Sequence, residues 1–272
     1  MKISFLGGGN MANAMIGGLL KQGVAASDID VVDPGAEARA NLQASYGIRT
    51  HDINPDPAVW QQADVIVLAV KPQQMKEALA PLAPHMANQV VVSIAAGLNL
   101  AALSRWLGGY RKLVRTMPNT PAVIGAGITG LYANPEVDGA GRAAAEQVLR
   151  AAGSTVWIDD EAQMDAVTAI SGSGPAYVFL FIEALQQAAE ELGFTPEQAR
   201  QLAIETTLGA AELAAGSAEP AGVLRQRVTS KGGTTEAALK VMAERGVLAG
   251  IVAGCHAARA RGAELGAQLG AD

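Results

Sequence analysis

Short runs of β-branched and apolar residues alternate with longer segments of helical period through about the first 160 residues of the chain. Four runs, at Ile3–Leu6, Ile29–Val32, 65–70 and 90–94, contain few polar residues and predict buried strands. Weaker strand patterns follow at 113–116, 128–132 and 155–158. Strands that alternate with helices are typical of a parallel sheet covered on both faces, because each return to the sheet needs a crossover. This part of the chain is therefore predicted to be a doubly wound α/β domain.

The strand pattern stops at about residue 160, and helical patterns at 163–192, 195–215 and 234–262 follow. Thr195 and Pro196 have the residue types of an N-cap and a first helical position, and Gly193 lies just past the preceding helix. A length of 272 residues favours two domains, with one large domain as the alternative. We expect an α/β domain over residues 1–160 and an all-helical domain over residues 161–272.

Charge and cysteine content exclude several classes of function. The net charge is -6, and no run of Lys and Arg occurs, so neither nucleic acid nor an anionic membrane surface is expected as a partner. Cys255 is the single cysteine, and His51, His85 and His256 lack the spacing of metal ligands. No metal site is therefore expected.

The N-terminal segment superficially resembles a signal peptide, because Lys2 precedes a run of residues without charge that extends to Leu20. Three consecutive glycines from Gly7 and the following Asn10 interrupt this run where a signal sequence should be continuously apolar. No other candidate membrane-spanning segment was identified in the sequence. The expected location is cytoplasmic.

A glycine-rich turn follows the first predicted strand and opens the first predicted helix, with Gly7, Gly9 and Ala12 in a G-x-G-x-x-A pattern. In such a pattern the first glycine permits the tight turn and the second lets a pyrophosphate approach the backbone. A small third residue lets the helix pack against the strand. The helix N-terminus attracts the phosphates. The pattern in this context predicts a Rossmann-type dinucleotide site, with a ligand-free glycine turn as the alternative.

Asp33 ends the second predicted strand. An acidic residue there is typical of proteins that bond the adenosine ribose hydroxyls and repel a 2′-phosphate, which favours NADH. The alternative is an ordinary Asp-Pro turn. Arg39 is too far into the next helix for its sequence position to assign it to a phosphate.

Later strand ends contribute to the same rim, because ligands of a doubly wound sheet bind outside the carboxyl ends of its strands. For Lys71 the alternative is a solvated lysine at a helix start. The predicted cofactor residues are Gly7, Gly9, Asn10, Met11, Asp33, Ala69, Val70, Lys71, Pro72, Ala95, Ala96 and Asn119.

Two further glycine-containing segments lie in the helical part. Residues 230–235 (Ser-Lys-Gly-Gly-Thr-Thr) form a turn that feeds a helix, where backbone N–H groups and hydroxyls can bind an anion. The alternative is a helix start capped by Ser or Thr. Residues 171–177 (Ser-Gly-Ser-Gly-Pro-Ala-Tyr) interrupt a helical pattern and predict a kink or a close approach of backbones. Simple close helix packing is the alternative there.

Six segments together resemble the motifs of the pyrroline-5-carboxylate reductase family, in family order and over roughly residues 1–265. They are GGGNMA at 7–12, AVKPQ at 69–73, SIAAG at 93–97, RTMPNTP at 115–121, SGSGPAY at 171–177 and VTSKGGTT at 228–235. The resemblance implies the last step of proline biosynthesis, in which hydride passes from the nicotinamide to the ring imine carbon of 1-pyrroline-5-carboxylate.

The resemblance also implies roles for residues of the helical part. Ser230, Gly233 and Thr234 correspond to contacts of the substrate carboxylate, and the Thr235 hydroxyl lies near the imine nitrogen as the catalytic group. Ser171 and Gly172 are implied to lie beside the nicotinamide and the substrate.

The resemblance further implies a homodimer through the helical domain, often assembled into a ring of dimers. The family commonly favours NADPH. Many members have an Asn-Arg or Ser-Arg sequence where this chain has Asp33-Pro34, so both NADPH and NADH are considered as cofactors.

Three alternatives were weighed. β-Hydroxyacid dehydrogenases share the architecture but use a lysine early in the helix after the sheet, and this chain has no lysine between Lys112 and Lys231. An imine reductase acting on another cyclic imino acid passes that test and is the second hypothesis. A dinucleotide sensor without turnover is the third.

Overall fold

The computed structural model describes residues 1–271 and contains one eight-stranded sheet. Its strands are β1 (Ile3–Leu6), β2 (Ile29–Val32), β3 (Arg49–His51), β4 (Val65–Leu68), β5 (Val90–Ser93), β6 (Leu113–Met117), β7 (Gly127–Ala133) and β8 (Gly153–Trp157). They lie in the order β3-β2-β1-β4-β5-β6-β7-β8, and every neighbouring pair is parallel except β6 and β7. The predicted Rossmann-type sheet is confirmed.

The helices are α1 (Asn10–Lys21), α2 (Ala36–Tyr46), α3 (Ala58–Gln61), α4 (Met75–Leu79), α5 (Leu100–Trp106), α6 (Gly139–Arg150), α7 (Met164–Val167), α8 (Gly174–Glu191), α9 (Pro196–Ala215), α10 (Ala221–Arg227), α11 (Thr234–Glu244) and α12 (Val247–Leu269). A π-helical turn, Thr168–Gly172, lies between α7 and α8. Short 3₁₀ turns occur at Ala26–Asp28, Pro72–Gln74, Ala83–His85, Thr120–Ile124 and Glu161–Gln163.

Two details of the sequence prediction were wrong. Strand β3 was missed, because its residues Arg49, Thr50 and His51 show no apolar alternation and only partial burial. The single helix predicted over 234–262 is two helices, α11 and α12. Gly246 separates them with a φ of 69°, a left-handed conformation that glycine adopts without steric cost.

The central strands are buried on both sides, which explains why their sequences read as continuous apolar runs. One face of the sheet contributes Phe5 to a core that includes Ile16 of α1 and Leu149 of α6. The opposite face contributes Ile66 to a core that includes Met75 of α4. Helices thus hold both faces of the sheet rigidly, and its carboxyl edge is left to present loops.

Contacts between residues divide the chain into two compact units. The first contains Met1–Ser173 together with the chain from Ala257 onward, and the second is Gly174–His256. The predicted division at residue 160 marked the point where strand patterns end. Residues 161–173 form no strand, yet they belong to the sheet-containing unit.

One helical run, Glu161–Glu191, is long and apolar enough by length and composition to cross a bilayer, although no such segment was identified in the sequence. Little of this run is buried within the single chain, and Phe179 and Leu180 are exposed. Length and composition alone do not distinguish a membrane span from a face that another protein chain covers.

Candidate active site

The turn after β1 is built around Gly7. Its φ is 101°, and a Cβ atom there would lie 2.7 Å from the carbonyl oxygen of Ala69. The Gly7 N–H donates to the carbonyl of Val32 at 2.8 Å, which ties the turn to the end of β2. Only glycine satisfies both the conformation and the space at this position.

Gly9 meets a different requirement. It is the exposed N-cap of α1, its φ of -72° suits any residue, and a Cβ atom there would meet nothing within 4 Å. No side chain caps α1 in the described part of the chain, so the first N–H groups of the helix, from Asn10 and Met11 on, have no capping partner. Ala12 is fully buried and packs the helix into the core. An uncapped helix N-terminus of this kind can accept an anion.

The Asp33 carboxylate is committed to two backbone groups. Its Oδ2 accepts the N–H of Gly8 and its Oδ1 accepts the N–H of Gly35, both at 2.7 Å. The second bond closes the turn that was considered as the alternative, and the first braces the glycine-rich loop. Each carboxylate oxygen has a further lone pair for a ribose hydroxyl, so the predicted ribose contact stays a prediction.

Arg39 reaches the end of β2, which its sequence position did not indicate. Its Nη1 donates to the carbonyl oxygen of Asp33 at 2.6 Å and lies 3.6 Å from Oδ1 of Asp52. Side chains on a helix point back toward its N-terminus. A long side chain in the second turn of α2 therefore returns to the loop that precedes the helix, and this rule was the signal that could have found Arg39.

The strand register brings the other predicted loops to the same edge. Leu6 lies opposite both Val32 and Leu68, and Leu68 lies opposite Ser93, so four strands end level with one another. The N–H of Ala69 donates to the carbonyl of Leu6 at 2.8 Å. The loops that follow these strands contain predicted cofactor residues, which are Ala69, Val70, Lys71, Pro72, Ala95 and Ala96. Among these, Lys71 and Ala96 are exposed.

Asn119 joins two backbone segments. Its Oδ1 accepts the N–H of Ile128 at 2.9 Å, and its Nδ2 donates to the carbonyl of Ser171 at 3.1 Å. Ser171 lies in the π-helical turn, where Ser173 N–H donates to Thr168 O at 2.8 Å. Such turns disturb the regular ladder of helical hydrogen bonds and are frequent at functional sites. A contact of Asn119 with the cofactor stays a prediction, while its bond to the turn is a positional link that the sequence did not indicate.

We expect Asn119→Ala to lower the free energy of unfolding by about 1–3 kcal/mol, because the N–H of Ile128 and the carbonyl of Ser171 lose part-buried hydrogen bonds. Urea unfolding followed by circular dichroism measures the change. Asn88→Ala removes an exposed asparagine and serves as the matched control, with an expected change within about 0.5 kcal/mol. Equal stability of the Asn119 and Asn88 variants would contradict the structural role of this bridge.

Gly172 also lies in the π-helical turn and makes a close contact. A Cβ atom at this position would lie 2.6 Å from Cε of Met117, which belongs to the strand before the Asn119 loop. Gly172 thus approaches a side chain of β6, whereas the sequence predicted a kink or a close approach of backbones over residues 171–177. Ser171 and Gly172 are both half-buried and belong to the sheet-containing unit.

A buried ion network attaches residues 161–165 to the sheet. The Arg115 side chain is 7% exposed and pairs with Glu161 at 3.2 Å and with Asp165 at 3.4 Å. Oε1 of Glu161 also accepts the N–H of Leu100 at 2.8 Å. Removing one member of such a network leaves a buried charge unpaired, so these contacts hold the segment before the π-helical turn in place.

In the second unit, residues 230–233 form the loop before α11. Gly233 is the N-cap, and no side chain caps α11 in the described residues, so the Ser/Thr cap considered as the alternative is not formed. Gly232 has a φ of 72°, its N–H donates to Oε2 of Glu236 at 2.7 Å, and the Gly233 N–H donates to the carbonyl of Ser230 at 3.0 Å. The first N–H groups of α11 are left for an anion.

The hydroxyl side chains of this loop remain accessible. Ser230 and Thr234 are exposed, and Thr235 is half-buried. These residues belong to the second compact unit, whereas the nucleotide loops, Ser171 and Gly172 belong to the first. In the part of the chain that the structure describes, no group of three or more His, Cys, Asp or Glu side chains could hold a metal ion.

Comparisons with known proteins agree with this geometry. The family described as pyrroline-5-carboxylate reductase dimerisation matches residues 161–265, and the family described as NADP oxidoreductase coenzyme F420-dependent matches residues 2–97. The pyrroline-5-carboxylate reductase of Pseudomonas aeruginosa is 49% identical over 270 residues, which cover 99% of this chain and 98% of that protein.

Solved structures give the same result. A pyrroline-5-carboxylate reductase from Coxiella burnetii has a TM-score of 0.91 and 40% identity, covering 97% of this chain and 98% of its own. A pyrroline carboxylate reductase of Plasmodium falciparum, solved with NADP bound, has a TM-score of 0.85 and 28% identity, covering 98% of both chains.

Proposed function

The chain belongs to the pyrroline-5-carboxylate reductase family, and from this premise we propose how its residues carry out the reaction. It is an NAD(P)H-dependent oxidoreductase that acts on a C=N group and reduces 1-pyrroline-5-carboxylate to proline. The observation that carries this conclusion is the 49% identity to a relative of that name over 99% of the chain.

The carboxyl edge of the sheet holds the dinucleotide in this proposal. The pyrophosphate lies against Gly9 and the N–H groups of Asn10 and Met11, because this helix end is uncapped and open. The loops after β4 and β5, which contain Pro72 and Ala95, would hold the nicotinamide end. When bound, the reduced cofactor supplies a hydride from its C4 carbon.

The loop before α11 binds the substrate carboxylate in this proposal, through Ser230, Thr234 and the backbone at Gly233. The uncapped start of α11 supports it, because no side chain caps the first N–H groups of this helix among the described residues. Once the carboxylate is held, the ring has few orientations left. The entropy cost of orienting the ring is then part of substrate binding and does not add to the barrier of the reaction step.

The reaction needs orientation more than a strong acid or base. Hydride adds to the carbon of the iminium form of the ring, whose nitrogen already carries its proton, and the C=N double bond becomes the single bond of the product amine. We propose that the Thr235 hydroxyl hydrogen-bonds this nitrogen and fixes the face of the ring that receives hydride. Ser171 and Gly172 are proposed to line the substrate beside the nicotinamide. Residues 1–160 then act as the NAD(P)-binding domain, and residues 161–272 as the substrate-binding and dimerisation domain.

We propose that Asp33 disfavours NADPH relative to NADH, because its negative charge opposes a 2′-phosphate on the adenosine ribose. Asp33→Asn is expected to raise the ratio of kcat/KM with NADPH to kcat/KM with NADH by about tenfold, or about 1.4 kcal/mol. Steady-state kinetics with both cofactors measures this ratio. The substitution also weakens the hydrogen bonds from Gly8 and Gly35, but this change lowers kcat/KM with both cofactors alike. The ratio therefore reports only the effect of the Asp33 charge. An unchanged ratio would remove Asp33 from cofactor selection.

The match to a dimerisation family over residues 161–265 supports a homo-oligomer. We infer a homodimer, assembled further into a ring of dimers, in which partner helices rather than lipid cover the exposed apolar residues. Those residues include Phe179, Leu180, Leu248 and Ile251. The run Glu161–Glu191 is assigned to that interface. We accordingly propose a cytoplasmic protein with no membrane or nucleic-acid partner.

The decisive experiment follows the loss of reduced-nicotinamide absorbance with 1-pyrroline-5-carboxylate, using NADPH and NADH in parallel. Turnover that forms proline is the expected result. A six-membered cyclic imino acid is tested beside it, because one methylene changes binding in an apolar pocket by only about 1–3 kcal/mol. Faster turnover of that compound would reassign the substrate. Nucleotide binding without turnover of any cyclic imine would support a sensor instead.

A further inference from the structure

Arg39 belongs to α2, and its guanidinium places a positive charge at the end of β2. The proposed nucleotide site has the adenosine of the dinucleotide at this strand end. The contact of Nη1 with the Asp33 carbonyl at 2.6 Å fixes the guanidinium beside the residue that follows the strand. The Arg39 side chain is 20% exposed, so part of the group faces solvent at the sheet edge. A dinucleotide that runs from Gly9 toward β2 brings its ribose to this place.

The Arg39 guanidinium has more N–H donors than its contacts within the protein use. It carries five N–H donors in a planar fork that suits the oxygen atoms of a phosphate. Among the described residues, its contacts are the Asp33 carbonyl and a longer ion pair with Asp52, whose side chain is 64% exposed. An exposed pair of this kind contributes little free energy and is readily exchanged for another anion.

The surroundings otherwise oppose a phosphate. Asp33, Asp52 and Glu37 each carry a negative charge near the start of α2. The Asp33 carboxylate accepts hydrogen bonds from the N–H groups of Gly8 and Gly35, and these two donors partly offset its negative charge. The positive end of α2, which Gly35 leaves without a side-chain cap, adds a weak attraction. Arg39 is thus the side chain in this group that can neutralise a phosphate.

We propose that Arg39 binds the 2′-phosphate of NADPH and sets how well this chain uses NADPH despite Asp33. The assignment rests on the proposed nucleotide site and extends it. Arg39 is a specificity residue in this account: it acts on the cofactor that carries the phosphate and leaves NADH unaffected.

The test compares wild type with Arg39→Gln and Arg39→Lys, using both cofactors and 1-pyrroline-5-carboxylate. For Arg39→Gln we expect kcat/KM with NADPH to fall at least tenfold and kcat/KM with NADH to stay within about twofold. Arg39→Lys keeps the charge but loses the fork, and an intermediate value is expected. Lys76→Gln removes the same charge from the exposed face of α4, and both cofactors should be unaffected by this control.

A binding measurement separates this inference from the reaction. Calorimetry with adenosine 2′,5′-bisphosphate and with ADP reports the 2′-phosphate without turnover, and only the first ligand should bind Arg39→Gln at least tenfold more weakly. Equal losses for both ligands and both cofactors would mean that Arg39 stacks on adenine or supports the loop, which overturns the inference. No loss for either would overturn it as well. If wild type turns over neither cofactor while the bisphosphate result holds, the proposed function fails and the Arg39 assignment stands.

Discussion

Gly9→Ser is expected to weaken binding of the reduced nicotinamide cofactor about 100-fold, or about 2.7 kcal/mol, while leaving the protein as stable as wild type. Serine is among the preferred N-cap residues, and the Gly9 backbone, with a φ of -72°, accommodates it. Its side chain enters the space that the pyrophosphate needs, which is empty within 4 Å of the Cβ position. Its hydroxyl also takes up helix N–H groups that would otherwise bind phosphate.

Cofactor affinity is measured by nucleotide fluorescence titration, and stability by thermal unfolding without ligand. Gly139→Ser is the matched control, because Gly139 starts α6 and a Cβ atom there also meets nothing within 4 Å. The control should bind the cofactor normally. A Gly9→Ser protein with wild-type affinity would place the pyrophosphate elsewhere.

The sequence pattern assigns Gly7 to the tight turn and Gly9 to the approach of a pyrophosphate, and the structure shows that the two positions differ physically. Gly7 is required by the fold, because both its positive φ and the nearby Ala69 carbonyl exclude a side chain. Gly9 is tolerant of substitution in the free protein, so a demand for glycine there comes from a ligand. A substitution that harms binding without harming folding is therefore informative at Gly9 and uninformative at Gly7.

The nucleotide-binding edge could be predicted from sequence because its determinants are local. A strand such as β4 is recognisable by its buried apolar run, and parallel strands end at a common edge. Residues Ala69–Pro72 and Ala95 follow such strands directly, so their position at the edge follows from the order of the elements alone. The short-range glycine pattern then indicates which strand end meets the phosphates.

The remaining features depend on contacts between distant parts of the chain. Asn119 meets Ser171 across 52 positions, and no local pattern signals which carbonyl a buried amide will bond. Arg39 follows Asp33 by six positions, and only the direction of helical side chains indicates that its guanidinium returns to the Asp33 carbonyl. The side chains of Arg49 and His51 in β3 both hydrogen-bond the Asp30 carboxylate of β2. Because these contacts are polar, β3 has no hydrophobic pattern in the sequence.

Thr235→Ala is expected to lower kcat/KM for 1-pyrroline-5-carboxylate at least tenfold, on the order of 1.4 kcal/mol. Thr235 is half-buried in the first turn of α11, and no hydrogen bond of its hydroxyl is found among residues 1–271. Loss of the hydroxyl therefore leaves no protein group without a partner, and the stability of the helix should hardly change. A hydroxyl with no structural bond is available to the substrate.

The proposed role of Thr235 predicts a specific kinetic pattern. A bond to the imine nitrogen that strengthens as hydride adds contributes mainly in the transition state, so kcat and kcat/KM should fall together. Thr235→Val keeps the shape without the hydroxyl and should match Thr235→Ala, whereas Thr235→Ser should recover most of the activity. A rise in KM at constant kcat would instead assign Thr235 to ground-state binding of the carboxylate, beside Ser230 and Thr234. Wild-type kinetics in the valine variant would show that this hydroxyl takes no part in the reaction. The contribution of α11 would then be limited to orienting the substrate through its carboxylate.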